Sequence, residues 1–395
     1  MDDDATHSII EAFEITYSHQ VYFTEGVFSE SNDLLARTIQ KISSADRPRV
    51  FIVADAAFIE ANPGVTDRIE RYFDQHREGL RYCGLLELPG GEQLKNKPEF
   101  LEGLYRLIEE KNLCRHSWII ALGGGALLDL VGFAASTAHR GIRHLRLPTT
   151  SLSQGDGGCG VKNGINYLGK KNFIGTFTPP SAVINDVGFL ESLPEPRLLD
   201  GMIEAIKVAL IKDRGFFDFL EGRAAAVLAR DFSAIREILE CSARYHVLHI
   251  ARNGDPFELT SSRPLDFGHW SAHKLEVLSG YTLSHGECVA IGIALDCIYS
   301  HKSGFLSKED MERVLKVIQS YGFRIYDERL ATGGSGGRSY SILAGLEEFR
   351  EHMGGQLTIP LLRGIGEQFE VNEIDTGLME SCIEALQAVE GTFQR

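Results

Sequence analysis

What most constrains this chain is an alternation confined to its first half. Short apolar runs at 21–23, 50–53, 85–88, 118–122 and 142–147 read as strands, and between them lies helical spacing at 32–43, 69–76, 99–111 and 123–137. A parallel return needs a crossover long enough to hold a helix, so this rhythm predicts a parallel sheet with helices on both faces. From about residue 186 the rhythm stops. Helical spacing then covers 197–211, 216–221, 235–252, 268–278, 287–303, 308–321 and 379–390, with one late strand at 357–362. The expected fold class is an α/β domain over 1–185 followed by a mainly helical domain over 186–395. The stretch 331–338, ATGGSGGR, reads as a flexible loop.

At 395 residues two domains are the default, and 43% hydrophobic against 24% charged residues excludes global disorder. The net charge of −15 argues against a nucleic-acid-binding face, because phosphate neutralisation needs a cationic surface. Seven cysteines without a C-x-x-C pair predict reduced thiols and a cytoplasmic protein. The acidic start MDDDATHS is the opposite of a signal-peptide head. The most apolar stretch, 118–135, is broken by three glycines and Asp129, so no membrane span is expected.

Three clusters could carry chemistry. Gly123-Gly124-Gly125 follows a strand and opens a helix, where backbone N–H groups can approach a pyrophosphate. A plain tight turn is the equal alternative, since the pattern is not G-x-G-x-x-G. Asp55, at the end of an earlier strand, suits ribose hydroxyls or a helix cap. In the second cluster His269 and His273 share a helix face at i, i+4, and His285 precedes another helix. With Glu204, a charge in an apolar helix, they could hold a divalent metal with an open position. The bland alternatives are histidines that are merely satisfied polar residues and a surface Glu204–Lys207 pair. The third cluster runs from Gln154-Gly155-Asp156 through Lys162, Asn166 and Gly169 to Lys171 and Asn172, with Arg140 nearby. Lysines and asparagines in a Gly-rich loop suit a phosphorylated, hydroxyl-rich ligand, or simply a solvated loop.

At these clusters the chain resembles the 3-dehydroquinate synthase family, the sugar phosphate cyclases, over about residues 50–365. The carriers are Gly91-Glu92-Gln93-Leu94-Lys95, Gly123-Gly124-Gly125 with Asp129, Arg140-Gly141, Pro148-Thr149-Thr150, Gly160-Val161-Lys162, Gly169-Lys170-Lys171-Asn172, Glu204-Ala205-Ile206-Lys207, Phe267-Gly268-His269 and His285-Gly286-Glu287. The resemblance implies an NAD-binding α/β domain and a helical domain holding one divalent metal, Zn or Co. It implies metal ligation by Glu204, His269 and His285. Asp55, Glu92, Lys95, Gly124, Gly125, Asp129, Thr149, Thr150, Lys162 and Lys171 would line the NAD. Asp156, Lys162, Asn172, Lys207 and His273 would face a sugar phosphate, with Arg140 reaching its phosphate from the other subunit of a homodimer. The implied reaction is oxidation, phosphate elimination, re-reduction and aldol ring closure, with NAD returned each turnover.

The departures bear on the substrate. The family's synthases carry an asparagine where this chain has Asp266, and an arginine a few residues upstream that is shifted or lost around Ser262-Arg263. A lysine on the preceding helix becomes His246, and a late lysine pair becomes Arg350-Glu351-His352. These changes remove positive charge where a carboxylate would sit, which points to sedoheptulose 7-phosphate rather than the carboxylated heptulosonate 7-phosphate. The stretch 263–270 also resembles the sedoheptulose 7-phosphate cyclases and a related bacterial group of dehydroquinate synthase-like proteins. The competing expectations are a 3-dehydroquinate synthase proper, an NAD-dependent polyol dehydrogenase on the same fold, and a non-catalytic binding partner.

Overall fold

The computed structural model describes residues 8–168, 170–252, 255–259, 263–333, 340–352 and 354–393. In chain order the strands are β1 (Val21–Thr24), β2 (Arg49–Asp55), β3 (Arg81–Leu88), β4 (Trp118–Gly123), β5 (Arg143–Pro148), β6 (Lys162–Tyr167), β7 (Lys170–Phe177), β8 (Ala182–Asp186), β9 (Ile359–Gly364) and β10 (Glu367–Val371). Six of them form one parallel sheet in the order β1-β8-β5-β4-β2-β3. Its central strands are buried on both faces, so they read as unbroken apolar runs. Along β2 and β4, Val50, Ile52, Trp118 and Ile120 point into one core, packed on the helices Leu34–Ile42 and Val65–Gln75. Their neighbours Phe51, Val53, Ile119 and Ala121 point into the other, under the helices Pro98–Glu110 and Gly125–Thr137. The chain runs from β2 outward to β3, then returns to β4 and proceeds the other way to β5. The reversal lies between β2 and β4. Ligands of open α/β sheets bind beyond the carboxyl ends of the strands at such a reversal.

Among the described residues after Asp186 the regular elements are helices apart from the antiparallel pair β9–β10. The helix Glu195–Lys212 runs through this half almost fully buried, with the helices Phe232–Arg252, His269–Leu278 and His285–Lys302 packed on it or on one another. Gly268, at φ +78°, sits against Gly292: a Cβ at 292 would lie 2.0 Å from the Gly268 carbonyl oxygen. Two helices therefore cross here at backbone contact, which only glycine permits.

Three features differ from the sequence expectation. The Gly-rich third cluster is the antiparallel hairpin β6–β7, whose apolar residues are scattered among lysines, asparagines and glycines and so offer no apolar run to read. The late strand at 357–362 has a partner in β10, whose glutamates disguise it, and 344–352 forms a further helix. Residues Gly169, Ser262 and 334–339 of the expected loop lie outside the described residues, and Gly333 bridges Tyr340 at the loop's described ends. Among the described residues no helix is long and apolar enough to cross a membrane.

Candidate functional site

Glu204 lies in the middle of the helix Glu195–Lys212 and is only 1% exposed, with Lys207 one turn on at 3%. This is no surface pair. Donor atoms of Glu204, His269 and His285 all lie within 4.8 Å of one another. Glu204 Oε1 is 3.7 Å from His269 Nε2 and 3.3 Å from His285 Nε2. His269 Nδ1 donates to the Phe267 carbonyl at 3.0 Å, and His285 Nδ1 donates to Glu276 Oε1 at 2.6 Å. With Nδ1 occupied, both rings turn Nε2 toward Glu204, which leaves that nitrogen as the one to ligate a metal. Neither Glu204 oxygen accepts a well-aligned hydrogen bond. Lys207 Nζ approaches Oε2 at 2.5 Å as an ion pair. A buried carboxylate is costly unless cations gather on it, and two imidazole nitrogens facing its oxygens make this donor set fit one divalent metal. Burial pushes the Glu204 carboxyl up, yet Lys207 and His285 outweigh it and hold the group ionised.

Two further side chains build this site and are absent from the sequence-derived set. Asp200, one turn before Glu204, accepts from Ser284 Oγ at 2.7 Å and from the Gly286 N–H at 3.2 Å. It thereby ties the start of the His285–Lys302 helix to the Glu204 helix. Glu276, two turns after His269 and so on the same face, is buried against His285. The one available signal was an acidic residue at helical spacing from a candidate ligand, within an otherwise apolar helix.

At the sheet's carboxyl edge, Asp55, Gly123 and Gly124 meet at the reversal point. A Cβ at Gly123 would lie 3.2 Å from the Asp55 Cβ. Asp55 caps its own helix, accepting from the Ala57 N–H at 2.9 Å, so the capping alternative is realised. Gly124 is the N-cap of the Gly125–Thr137 helix and offers no side chain, and Gly125 is exposed. The first N–H groups of that helix are therefore open to an anion at the place where the topology invites one. Thr149 is buried, its N–H donating to the Gly123 carbonyl at 3.0 Å, and Thr150 caps the next helix through Ser153. Lys95 Nζ donates to Asp129 at 2.8 Å and also contacts Asn172, and Asn166 donates to Glu92 at 3.0 Å. Glu92, Lys95, Asp129 and Asn172 thus form one network on the sheet side.

Between the halves, Asp156 sits 3.4 Å from Lys207 Nζ and 3.5 Å from His246 Nδ1. Burial pushes Lys207 down, but Glu204 and Asp156 outweigh it, so its ammonium stays charged. His246 is lowered by burial, which Asp156 only partly offsets. The His273 ring lies 5.3 Å from that of His269 and 6.2 Å from that of His285. Lys162 Nζ is 2.5 Å from Glu258, which also holds Arg263 at 3.1 Å. An arginine therefore does stand near this cluster, held by the same glutamate as Lys162. Asp266 is half-buried, and burial raises its carboxyl against the pull of Lys162 and Lys207. Lys171, on β7, reaches into the helical half and donates to Glu276 at 2.9 Å. Arg350 bonds Glu347 at 2.8 Å rather than any of these groups. Arg140 stands apart. It is exposed in a turn at φ +60°, beyond the far end of the 13-residue helix that Gly125 opens, about 20 Å along that axis. Within one chain it does not join the cluster.

A sheet reversal with an uncapped helix terminus, and in the helical half a buried carboxylate with two imidazoles, suits an enzyme that binds a nucleotide and a metal. Family profiles for the 3-dehydroquinate synthase N-terminal and C-terminal domains match residues 85–200 and 201–332. A 3-dehydroquinate synthase of Cereibacter sphaeroides is 34% identical over 344 residues, 86% of this chain and 89% of its own. The solved 2-epi-5-epi-valiolone synthase of Streptomyces hygroscopicus, with NAD⁺ and Zn²⁺ bound, superposes with a TM-score of 0.82 at 27% identity, covering 97% of this chain and 100% of that one. A 2-deoxy-scyllo-inosose synthase complexed with carbaglucose-6-phosphate, NAD⁺ and Co²⁺ shares the fold at a TM-score of 0.71 and 21% identity, covering 92% and 96%. The chain belongs to the 3-dehydroquinate synthase family.

Proposed function

We propose that this chain is an NAD- and metal-dependent sugar phosphate cyclase, a carbon–oxygen lyase, acting on a seven-carbon ketose phosphate without a carboxylate, sedoheptulose 7-phosphate. The observation that carries the reading is the convergence of Glu204, His269 and His285 within 4.8 Å about a buried carboxylate. Those three hold the metal, zinc or cobalt. Asp55, Glu92, Lys95, Gly124, Gly125, Asp129, Thr149, Thr150, Lys162 and Lys171 line the NAD. When bound, the nucleotide takes up and returns a hydride and the metal polarises the alcohol oxygen involved. The chain's own residues do the rest. Lys207 keeps a fixed positive charge between Glu204 and Asp156, where negative charge develops on substrate oxygen. Lys162 and the partner's Arg140 stabilise the leaving phosphate, and Asn172 and His273 orient the sugar. Arg140's distance from the cluster in its own chain supports a homodimer in which it serves the other subunit. Seven unpaired cysteines support a reducing, cytoplasmic setting.

The substrate choice rests on charge. A carboxylate placed beside Asp156 and Lys207 would meet His246, held neutral by burial, and Asp266. The second reading, the carboxylated heptulosonate 7-phosphate, draws on Arg263, which shares Glu258 with Lys162, and on the names of the relatives. Phosphate release from the two sugars, measured side by side, tests this. Faster release from sedoheptulose 7-phosphate is expected. Preference for the heptulosonate would overturn the substrate choice, and release from neither would overturn the cyclase reading.

A further inference from the structure

The helix His269–Leu278 carries two buried groups on one face, His269 and Glu276. Glu276 has two partners from different parts of the fold. Its Oε1 accepts from His285 Nδ1 at 2.6 Å, and its Oε2 accepts from Lys171 Nζ at 2.9 Å. Lys171 lies on β7, in the hairpin that springs from the sheet half, and its ammonium also sits 5.6 Å from the Tyr281 ring centroid. The carboxylate side chain is 6% exposed, while Lys171 is 43% exposed. A buried carboxylate is stable only with its lone pairs satisfied and a countercharge near it. Here the imidazole N–H satisfies one oxygen and the hairpin's ammonium the other. The partner on Nδ1 sets which nitrogen of His285 is free to ligate and where the ring points.

We propose that Glu276 is a positioning residue that orients His285 for metal binding and makes metal affinity depend on Lys171, a residue of the sheet half that touches no ligand of the triad. The proposal rests on the assignment of Glu204, His269 and His285 as a metal site. Its logic is a relay. Lys171 holds Glu276, Glu276 holds His285, and His285 presents Nε2 beside Glu204 Oε1 at 3.3 Å.

The test is Co²⁺ titration of the full-length, chelator-treated protein without nucleotide, followed by competition dialysis and by the visible absorption of the cobalt centre. Glu276→Ala should weaken Co²⁺ about 10–100-fold and alter the cobalt band, as removal of a ligand's outer partner does. Glu276→Gln keeps an acceptor for Nδ1–H and should recover part of the loss. Lys171→Met should weaken Co²⁺ by a smaller factor than Glu276→Ala, because the ammonium stands one contact further from the ligand. In the double variant the two losses should fail to add, because both act through one carboxylate. Circular dichroism identifies any variant that does not fold, and Glu276→Gln and Lys171→Met then carry the test. Unchanged affinity in Lys171→Met, or in both Glu276 variants, would overturn the proposal, as would strictly additive losses. Absence of Co²⁺ binding in the unsubstituted protein would instead overturn the metal site itself.

Discussion

Replacing Glu204 by glutamine removes a charge but little volume, so its consequences divide cleanly between stability and metal binding. In the metal-free protein the variant breaks the Glu204–Lys207 pair, 2.5 Å apart with both residues buried. Breaking a buried pair costs about 3–5 kcal/mol when the survivor is left alone. Lys207 is not left alone, since Asp156 lies 3.4 Å away. At an effective dielectric constant near 20 that remaining contact is worth about 5 kcal/mol before desolvation. The metal-free penalty should therefore fall at or below the lower end, about 2–3 kcal/mol. The metal effect is larger. A structural zinc site yields about 10–16 kcal/mol from four ligands, so one ligand supplies about 3 kcal/mol, or roughly 100-fold in Kd. At a zinc concentration of about 100 Kd the wild-type chain gains about 2.7 kcal/mol, whereas the variant, now near its own Kd, gains about 0.4 kcal/mol. Thermal unfolding of chelator-treated protein with and without zinc reads the difference directly. Wild type should show a clear upward shift in Tm and Glu204→Gln almost none. Equal zinc-dependent shifts in the two proteins would refute the claim that this carboxylate is a ligand.

Gly292→Ala places a methyl 2.0 Å from the Gly268 carbonyl oxygen, so the two helices must separate. A loss of about 1–3 kcal/mol or more in urea unfolding is expected, with Co²⁺ affinity reduced because His269 follows Gly268 directly, and unchanged affinity would contradict the role given to this crossing. Arg146 is fully buried and its guanidinium donates to the carbonyls of Gly157, Gly158, Gly160 and Lys162 and to Asn163 Oδ1, at 2.7–3.4 Å. Arg146→Lys supplies too few donors, and two stranded acceptors should cost about 2–6 kcal/mol and loosen the segment between Asp156 and Lys162, seen as faster proteolysis there. Asp296 is buried with only the Trp270 and Gly268 N–H groups as partners, and burial raises its carboxyl to about 7. The folded state thus holds a proton that the unfolded chain releases near its ordinary 3.8, so stability falls as pH rises through that window and levels off above about 7. Between about pH 5 and pH 8 the wild type should lose about 3 kcal/mol more than Asp296→Asn in chemical denaturation, and parallel pH profiles would reject the assignment.

Much of this protein was legible along the chain, because local periodicity and burial on two faces leave a direct imprint. Strands β2 and β4 are apolar at every central position, since one set of side chains faces each core. The identities of Glu204, His269 and His285 were also legible, because each stands in a short recognisable motif. Their convergence was implied by the resemblance and not by spacing, for it depends on a backbone-close helix contact at Gly268 and Gly292 and on Asp200 pinning the next helix. An i, i+3 glutamate–lysine spacing looks the same on a surface as in a core, and folding alone made Glu204 and Lys207 a buried pair. Glu276 carries no motif of its own and acquires meaning only where a histidine from the next helix and a lysine from a distant hairpin meet its two oxygens. Arg140 shows the converse. The resemblance assigns it to the phosphate of the other subunit, and in its own chain the 13-residue helix that Gly125 opens carries it away from that glycine turn. Spacing in a chain specifies local geometry, and distances between separate elements follow from how those elements pack.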